Sequence, residues 1–258
     1  MNLATTRAIE RSSGHLYTFV SGDERLGPFP GATAICRLQD SLGGNDGLLT
    51  WAAGLALDHV GQNFWRLLPE VKATEWEGVR TEALAAKDGP RNLGTAVHTA
   101  VDQFNKGMPP TLFPDGVAAH VAQYGAALYQ RRIEILASER YAVNTAIGFG
   151  GTYDSIVEID GERGPLDVKT GKEKPSMRLQ LTGLSMCDWH AEAGMEAERM
   201  PEFDDVGFIL LLRPDGYELV RHEITKADRD HFVHLVGTYH KIREWAAAFA
   251  PTALREVA

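Results

Sequence analysis

Apolar residues recur at helical spacing through much of the first half of the chain. Leu48, Trp51, Leu55 and His59 fall three or four apart, Phe64, Leu67 and Leu68 follow, and a polar helix is predicted from about Lys72 to Lys87. After the break at Gly89-Pro90, Asn92 is a good N-cap for a helix through Val97, Val101 and Phe104 that stops at Gly107, ahead of Pro109-Pro110. A further helix is expected from about Val117 to Leu136, with Val121, Tyr124, Leu128 and Ile135 turned to the core. The first 45 residues read differently, as an irregular cap. Leu16 to Val20 has strand composition, and Ser21-Gly22-Asp23, Gly27-Pro28 and Pro30-Gly31 supply turns.

From about Ser138 the period shortens to two. Tyr141, Val143 and Thr145 alternate, Gly148-Phe149-Gly150-Gly151 turns the chain, and Tyr153, Ser155-Ile156-Val157 and Ile159 form a second strand. Asp160-Gly161 is a hairpin signal before Leu166-Asp167-Val168, so the segment reads as a three-stranded meander. A helix from about Ser176 to Ala193 follows, then strands Val206 to Leu212 and Tyr217 to His222 around Arg213-Pro214-Asp215-Gly216. The last helix, from Lys226 to about Phe249, carries Phe232, Leu235, Val236, Tyr239, Ile242 and Trp245 on one face. With no repeat and no linker, the economical architecture is one α/β or α+β domain with an N-terminal helical region.

Composition narrows the class. At 258 residues with 44% hydrophobic and 24% charged content, the chain is long enough to bury a core and is neither fibrous nor disordered. Two cysteines, Cys36 and Cys187, exclude a disulfide scaffold, a Cys-rich zinc site and a four-cysteine iron–sulfur cluster. The start, Met1 to Arg7, lacks an apolar core, and no stretch is apolar enough to span a bilayer, so no membrane partner and a cytoplasmic location are expected. The net charge of −9 argues against sequence-blind coating of nucleic acid while leaving room for a local or metal-bridged phosphate contact.

The chemistry concentrates in Gly151-Thr152-Tyr153-Asp154, then Leu166-Asp167-Val168-Lys169-Thr170-Gly171, then Gln180-Leu181. In Asp-x-Lys the two side chains share one face of a strand, and an Asp at the head of the neighbouring strand can join them at one end of the sheet. Two carboxylates beside an ammonium suit divalent-metal-assisted phosphodiester cleavage, because Mg²⁺ takes carboxylate and phosphate oxygens and lowers the pKa of its water. The ammonium adds a fixed charge where the transition state forms. Context matters, since an acid-x-Lys triplet arises roughly once by chance in such a chain. Glu70-Val71-Lys72 is a match without a preceding turn and Asp, and without strand composition.

These pieces, in this order, resemble the RecB-like branch of the PD-(D/E)XK nuclease superfamily. Within that branch they resemble the phage-encoded exonucleases related to the CRISPR-associated adaptation nucleases. Gly94-Thr95-Ala96-Val97-His98 resembles that family's upstream G-T-x-x-H helix and Ser138-Glu139 its acidic residue before the first strand. Gly151 to Asp154 resembles its G-x-x-D, Asp167 to Gly171 its D-x-K-T-G, and Gln180-Leu181 its Q-L; softer matches are Tyr17 and Trp51-Ala52-Ala53. The resemblance implies a restriction-endonuclease-like core over 91–258, a mixed central sheet flanked by helices, behind an N-terminal cap and helical region over 1–90. It implies DNA, with single- or double-stranded ends, as substrate, Mg²⁺ or Mn²⁺ held by His98, Asp154 and Asp167, and catalysis by Asp154, Asp167, Lys169 and Gln180. Glu139 is an accessory acid in that scheme, the setting is the host cytoplasm if the chain is phage-encoded, and a recombination or replication protein is a conceivable partner. Two departures stand out: Leu184 occupies the place of a tyrosine, and the iron–sulfur cysteines are missing, so no such cluster is expected.

Plainer readings exist for each residue. Asp167 and Lys169 can be an exposed cross-strand ion pair, His98 a core or surface histidine, Gln180 a surface amide, and Glu139 a partner of Arg131 or Arg132. The glycines at 148, 150 and 151 join two strands, so turn geometry accounts for them better than phosphate binding. Lys172, Lys174 and Arg178 form the densest basic stretch, a backbone-contacting lip or a solvated loop. Trp65, Trp76 and Tyr153 can stack bases or fill the core. The leading reading is a metal-dependent nuclease, more an exonuclease than a structure-specific endonuclease. A binding protein without turnover is the alternative, and a two-carboxylate glycosidase leaves Lys169 unexplained.

Overall fold

The computed structural model describes residues 6–42 and 93–248. The helices expected between Leu48 and Lys87, with Trp51, Trp65, Trp76 and the Glu70-Val71-Lys72 match, lie outside the described residues.

The chain opens with β1 (Arg7–Arg11), β2 (Leu16–Ser21) and β3 (Glu24–Pro30), a three-stranded antiparallel sheet, and then α1 (Ala32–Leu42). The expected irregular cap is therefore a sheet. Gly27, Pro28 and Pro30 look like turn residues in sequence, but β3 is an edge strand, where proline costs no ladder hydrogen bond. Helix α2 (residues 93–105) ends before Gly107 as expected. Helix α3 (Asp115–Gln130) stops short of its predicted end: Arg132 is left-handed, and Ile133 and Ile135 belong to the alternation leading into and along β4 (Glu134–Asn144).

Strands β4, β5 (Phe149–Ile159) and β6 (Glu162–Lys169) form the expected meander. Helix α4 (Pro175–Ser185) is shorter than predicted. Asp188 accepts the Thr145 N–H at 3.1 Å and the Thr145 hydroxyl at 2.8 Å, which draws the chain away from the helix into β7 (Trp189–Ala191) and β8 (Glu198–Arg199). Strands β9 (Val206–Arg213) and β10 (Gly216–Glu223) and helix α5 (Lys226–Ala248) close the chain. The large sheet has the order β10-β9-β6-β5-β4-β7-β8, antiparallel except that β6 and β9 run parallel, with α4 in the connection. The architecture is α+β with a mixed sheet.

Alternation assigns the two faces. Val206, Phe208, Leu210 and Leu212 pack with Leu166, Val168 and α2 and α3 residues Val97, Val101, Val121 and Tyr124, whereas Ile209 and Leu211 pack with Leu181 of α4 on the other face. Each such buried side chain contributes about 1.5–3 kcal/mol. The expected face of α5 holds for Phe232, Leu235 and Val236, then runs out into solvent: Ile242 is 49% and Trp245 65% exposed. The small sheet docks through Ile9, Tyr17 and Phe19 onto Val143 and Ala191. Contact is close enough that Gly150 is required, since a Cβ there would lie 2.6 Å from Tyr17 Cγ.

Candidate metal centre

The β5–β6 ladder ends at Ser155↔Leu166, and beyond it β6 keeps only β9 as a partner through Lys169. At this fork Asp154 takes over from the backbone: its Oδ2 accepts the Val168 N–H at 2.7 Å. Its Oδ1 lies 3.2 Å from Nδ1 of His98, which α2 delivers from one face of the sheet. From the other face, α4 presents Gln180, whose Nε2 donates to Asp167 Oδ1 at 3.3 Å; Lys169 Nζ donates to the same oxygen at 2.6 Å. Asp167 is 2% exposed, so the pair is no solvated cross-strand bridge. Its other oxygen, Oδ2, is buried and accepts no hydrogen bond among the described residues.

Glu139 completes the arrangement from β4. It falls between the pairs Ser138↔Ser155 and Arg140↔Tyr153, hence across from Asp154, and its φ of 47° is left-handed in mid-strand. Non-glycine residues adopt that conformation at a cost, and such positions cluster at functional sites. It makes no ion pair with Arg131 or Arg132. One ligand atom each of His98, Glu139 and Asp154 lies within 4.8 Å of the others.

The electrostatics follow from burial and crowding. Burial, then the charge of Asp154, pushes Glu139 up to about 7. Burial pushes Asp167 up to about 6, with Lys169 opposing and Asp154 adding to the rise. For Asp154 burial also acts upward, but His98, Lys169 and the Val168 N–H outweigh it and hold the carboxyl down at about 2. The Asp154 carboxylate raises His98 against burial. Lys169 is likewise raised: burial lowers it, and Asp167 and Asp154 more than compensate. The imidazole of His98 and the carboxylates of Glu139 and Asp154 converge, with the buried Asp167 carboxylate as a neighbour, and this donor set suits a hard or borderline dication, whose charge would relieve the repulsion that adds to the rise of Glu139 and Asp167.

All six residues expected at the site, His98, Glu139, Asp154, Asp167, Lys169 and Gln180, line one cleft of about 580 Å³. The basic stretch does not. Lys172 and Lys174 are exposed outside the lining, and Arg178 is committed to Asp228 at 2.7 Å and to the Glu223 carbonyl at 3.1 Å, because α4 turns it toward the start of α5. Tyr153 is fully buried and donates to the Leu184 carbonyl, so it stacks no base. Leu184 is core as well, 2% exposed, and a Cβ on Gly151 would lie 2.6 Å from its Cδ2.

The cleft also contains residues that sequence reasoning passed over. Asp102 follows His98 by one helical turn, and that i, i+4 spacing was a readable signal. It pairs with Lys106 at 2.7 Å and accepts from Ser138 Oγ at 3.2 Å. Arg11 and His15 from the small sheet reach the same cleft, and nothing in the local sequence marks them; Tyr17, one of the softer sequence matches, reaches it with them.

No family model matches the sequence, and no curated protein matches it. A solved structure described as "Crystal structure of SSO0001" has a TM-score of 0.31 and 12% identity, over 62% of this chain and 82% of its own. A similarity of that size bears on neither fold family nor function.

Proposed function

We propose that this chain is a metal-dependent nuclease of the PD-(D/E)XK type that hydrolyses phosphodiester bonds in DNA. The observation that carries the reading is the meeting of His98, Glu139 and Asp154 with the Asp167–Lys169–Gln180 group at one strand fork. Asp154 and Asp167 would hold Mg²⁺ or Mn²⁺, with His98 and Glu139 beside them. When bound, such an ion lowers the pKa of water and offsets charge on the phosphate.

The chain's own residues supply the rest. Lys169 is kept protonated by the two aspartates, so it acts as a fixed positive charge beside the reacting phosphate and not as a base. Gln180 and Lys169 together hold one oxygen of Asp167 and leave the other, buried, without a hydrogen-bond partner among the described residues. The Val168 N–H fixes Asp154 in the same way, so both carboxylates are oriented before substrate arrives.

Exonuclease action, on single- or double-stranded ends, belongs to the reading through the family resemblance, as do a cytoplasmic setting and a recombination or replication partner. Among the described residues no helix is long and apolar enough to cross a membrane. The test incubates the protein with end-labelled linear and covalently closed circular DNA in Mg²⁺, Mn²⁺ or EDTA. Metal-dependent shortening of linear DNA with circles intact is expected. Nicking of circles would turn the reading to endonuclease, and binding without cleavage in either metal would favour a non-catalytic relative.

A further inference from the structure

Among the described residues three cations line the cleft: Arg11, Lys106 and Lys169. Two are neutralised where they stand, Lys169 by Asp167 at 2.6 Å and Lys106 by Asp102 at 2.7 Å. Arg11 forms no ion pair among the described residues. It is nonetheless held in place: its guanidinium lies over the Tyr141 ring, 5.8 Å from the centroid, and donates to the His15 imidazole.

The support beneath it leads to the metal centre. Tyr141 meets Tyr17 edge-on at 6.2 Å, and the Tyr17 hydroxyl bonds Thr152 Oγ1 at 2.9 Å, two residues before Asp154 on β5. The lining also holds five acids, Asp102, Glu139, Asp154, Asp167 and Glu192, among uncharged residues, so an entering polyanion is drawn to the proposed metal and to the cations, of which only Arg11 has no carboxylate partner among the described residues. A guanidinium braced by a ring, and paired with no carboxylate among the described residues, presents in-plane N–H groups suited to phosphate oxygens.

We infer that Arg11, braced by Tyr141 and bonded to His15, binds a backbone phosphate of the DNA strand next to the one being cleaved. The inference rests on the nuclease reading of the Asp154–Asp167 site and adds to it a second phosphate subsite, supplied by the small N-terminal sheet. Lys169 serves the scissile phosphate; Arg11 serves its neighbour.

The test uses the full chain and a fluorescein-labelled DNA oligonucleotide, with binding followed by anisotropy in Ca²⁺ and cleavage in Mn²⁺. Arg11→Ala should raise Kd and KM about tenfold, the scale of one charge-assisted phosphate contact, with kcat within about threefold. It should also lower the slope of log affinity against log salt by about one. Arg11→Lys keeps the charge but not the fork, so it should restore the salt slope and only part of the affinity. Arg11 is an exposed end residue of β1, and an unchanged melting temperature verifies that the variants fold. Wild-type Kd, KM and salt slope in Arg11→Ala would overturn the subsite while leaving the nuclease standing. A wild-type protein that neither binds nor cleaves the oligonucleotide would overturn both.

Discussion

Asp154 Oδ2 accepts the backbone N–H of Val168 at 2.7 Å, a side chain doing what the β5–β6 ladder has ceased to do. The carboxylate thereby pins the strand that carries Asp167 and Lys169 at the point where the two strands part. One side of the fork is core, with Leu166 and Val168 packed against α2 and α3. The same helix α2 brings His98 to Asp154 there, α4 brings Gln180 to Asp167 from the other face, and the charged groups line the cleft at the fork.

Asp167→Asn should reduce Mn²⁺-supported DNA cleavage by about a hundredfold or more, the scale of losing a charged group that acts on the transition state. Circular dichroism should show the fold retained. Glu70→Gln, in the sequence match without strand context, should leave the rate unchanged. Near-wild-type cleavage by purified Asp167→Asn would remove Asp167 from the site.

Lys169→Ala and the double change Lys172→Glu with Lys174→Glu should separate cleanly. On the proposed nuclease reading the first removes a charge beside the scissile phosphate, so kcat falls with little change in KM. The second alters exposed residues outside the cleft lining, so KM rises modestly at low salt and kcat holds. Steady-state kinetics on a labelled oligonucleotide decide it, and a kcat loss shared equally by both variants defeats the distinction.

Metal binding should release protons near neutral pH. Glu139 at about 7 and the raised His98 are partly protonated there, and Asp167 at about 6 adds to them below neutrality, so a dication displaces a fraction of a proton from each that grows as pH falls. Apparent Mn²⁺ affinity should therefore climb between about pH 6 and 8. Titration calorimetry in two buffers of different ionisation enthalpy measures the release; identical heats in both would contradict it.

The same groups set the stability of the metal-free protein. Glu139, Asp167 and His98 have folded pKa values above their unfolded ones. Their contribution is complete below the unfolded values, about 4 for the carboxyls and 6.5 for the imidazole, and is lost as pH rises through the folded ones. Asp154 has the opposite sign: its contribution is present above about 4 and lost as pH falls toward about 2. In EDTA the melting temperature should fall between pH 5 and 8, less steeply in Glu139→Gln. A steeper fall in that variant would show the sign to be wrong.

Leu184→Tyr should not create a new cleft contact. Leu184 is buried against Gly151, so the larger side chain has nowhere to go and should cost about 1–3 kcal/mol in urea unfolding. Gly151→Ala should destabilise for the same reason, from the other side of the contact.

Local pattern was enough for the meander, the β9–β10 pair, the start of α5 and the extent of α2 before Gly107, because each rests on periodicity and turn residues within a few positions. It was also enough to bring Asp167 and Lys169 to one strand face, since a period of two requires it. Where elements ended was decided elsewhere. Helix α4 yields to β7 because Asp188 binds Thr145, forty-three residues away, and β3 accepts its prolines because it lies on an edge. The charge states at the centre also had no local signature: burial and the approach of α2 to β5 produce them. Arg11 is the extreme case. Its place in the cleft that Glu139 and Asp154 also line goes with the docking of Tyr17 on Gly150, a contact between residues 133 positions apart that no window along the chain contains.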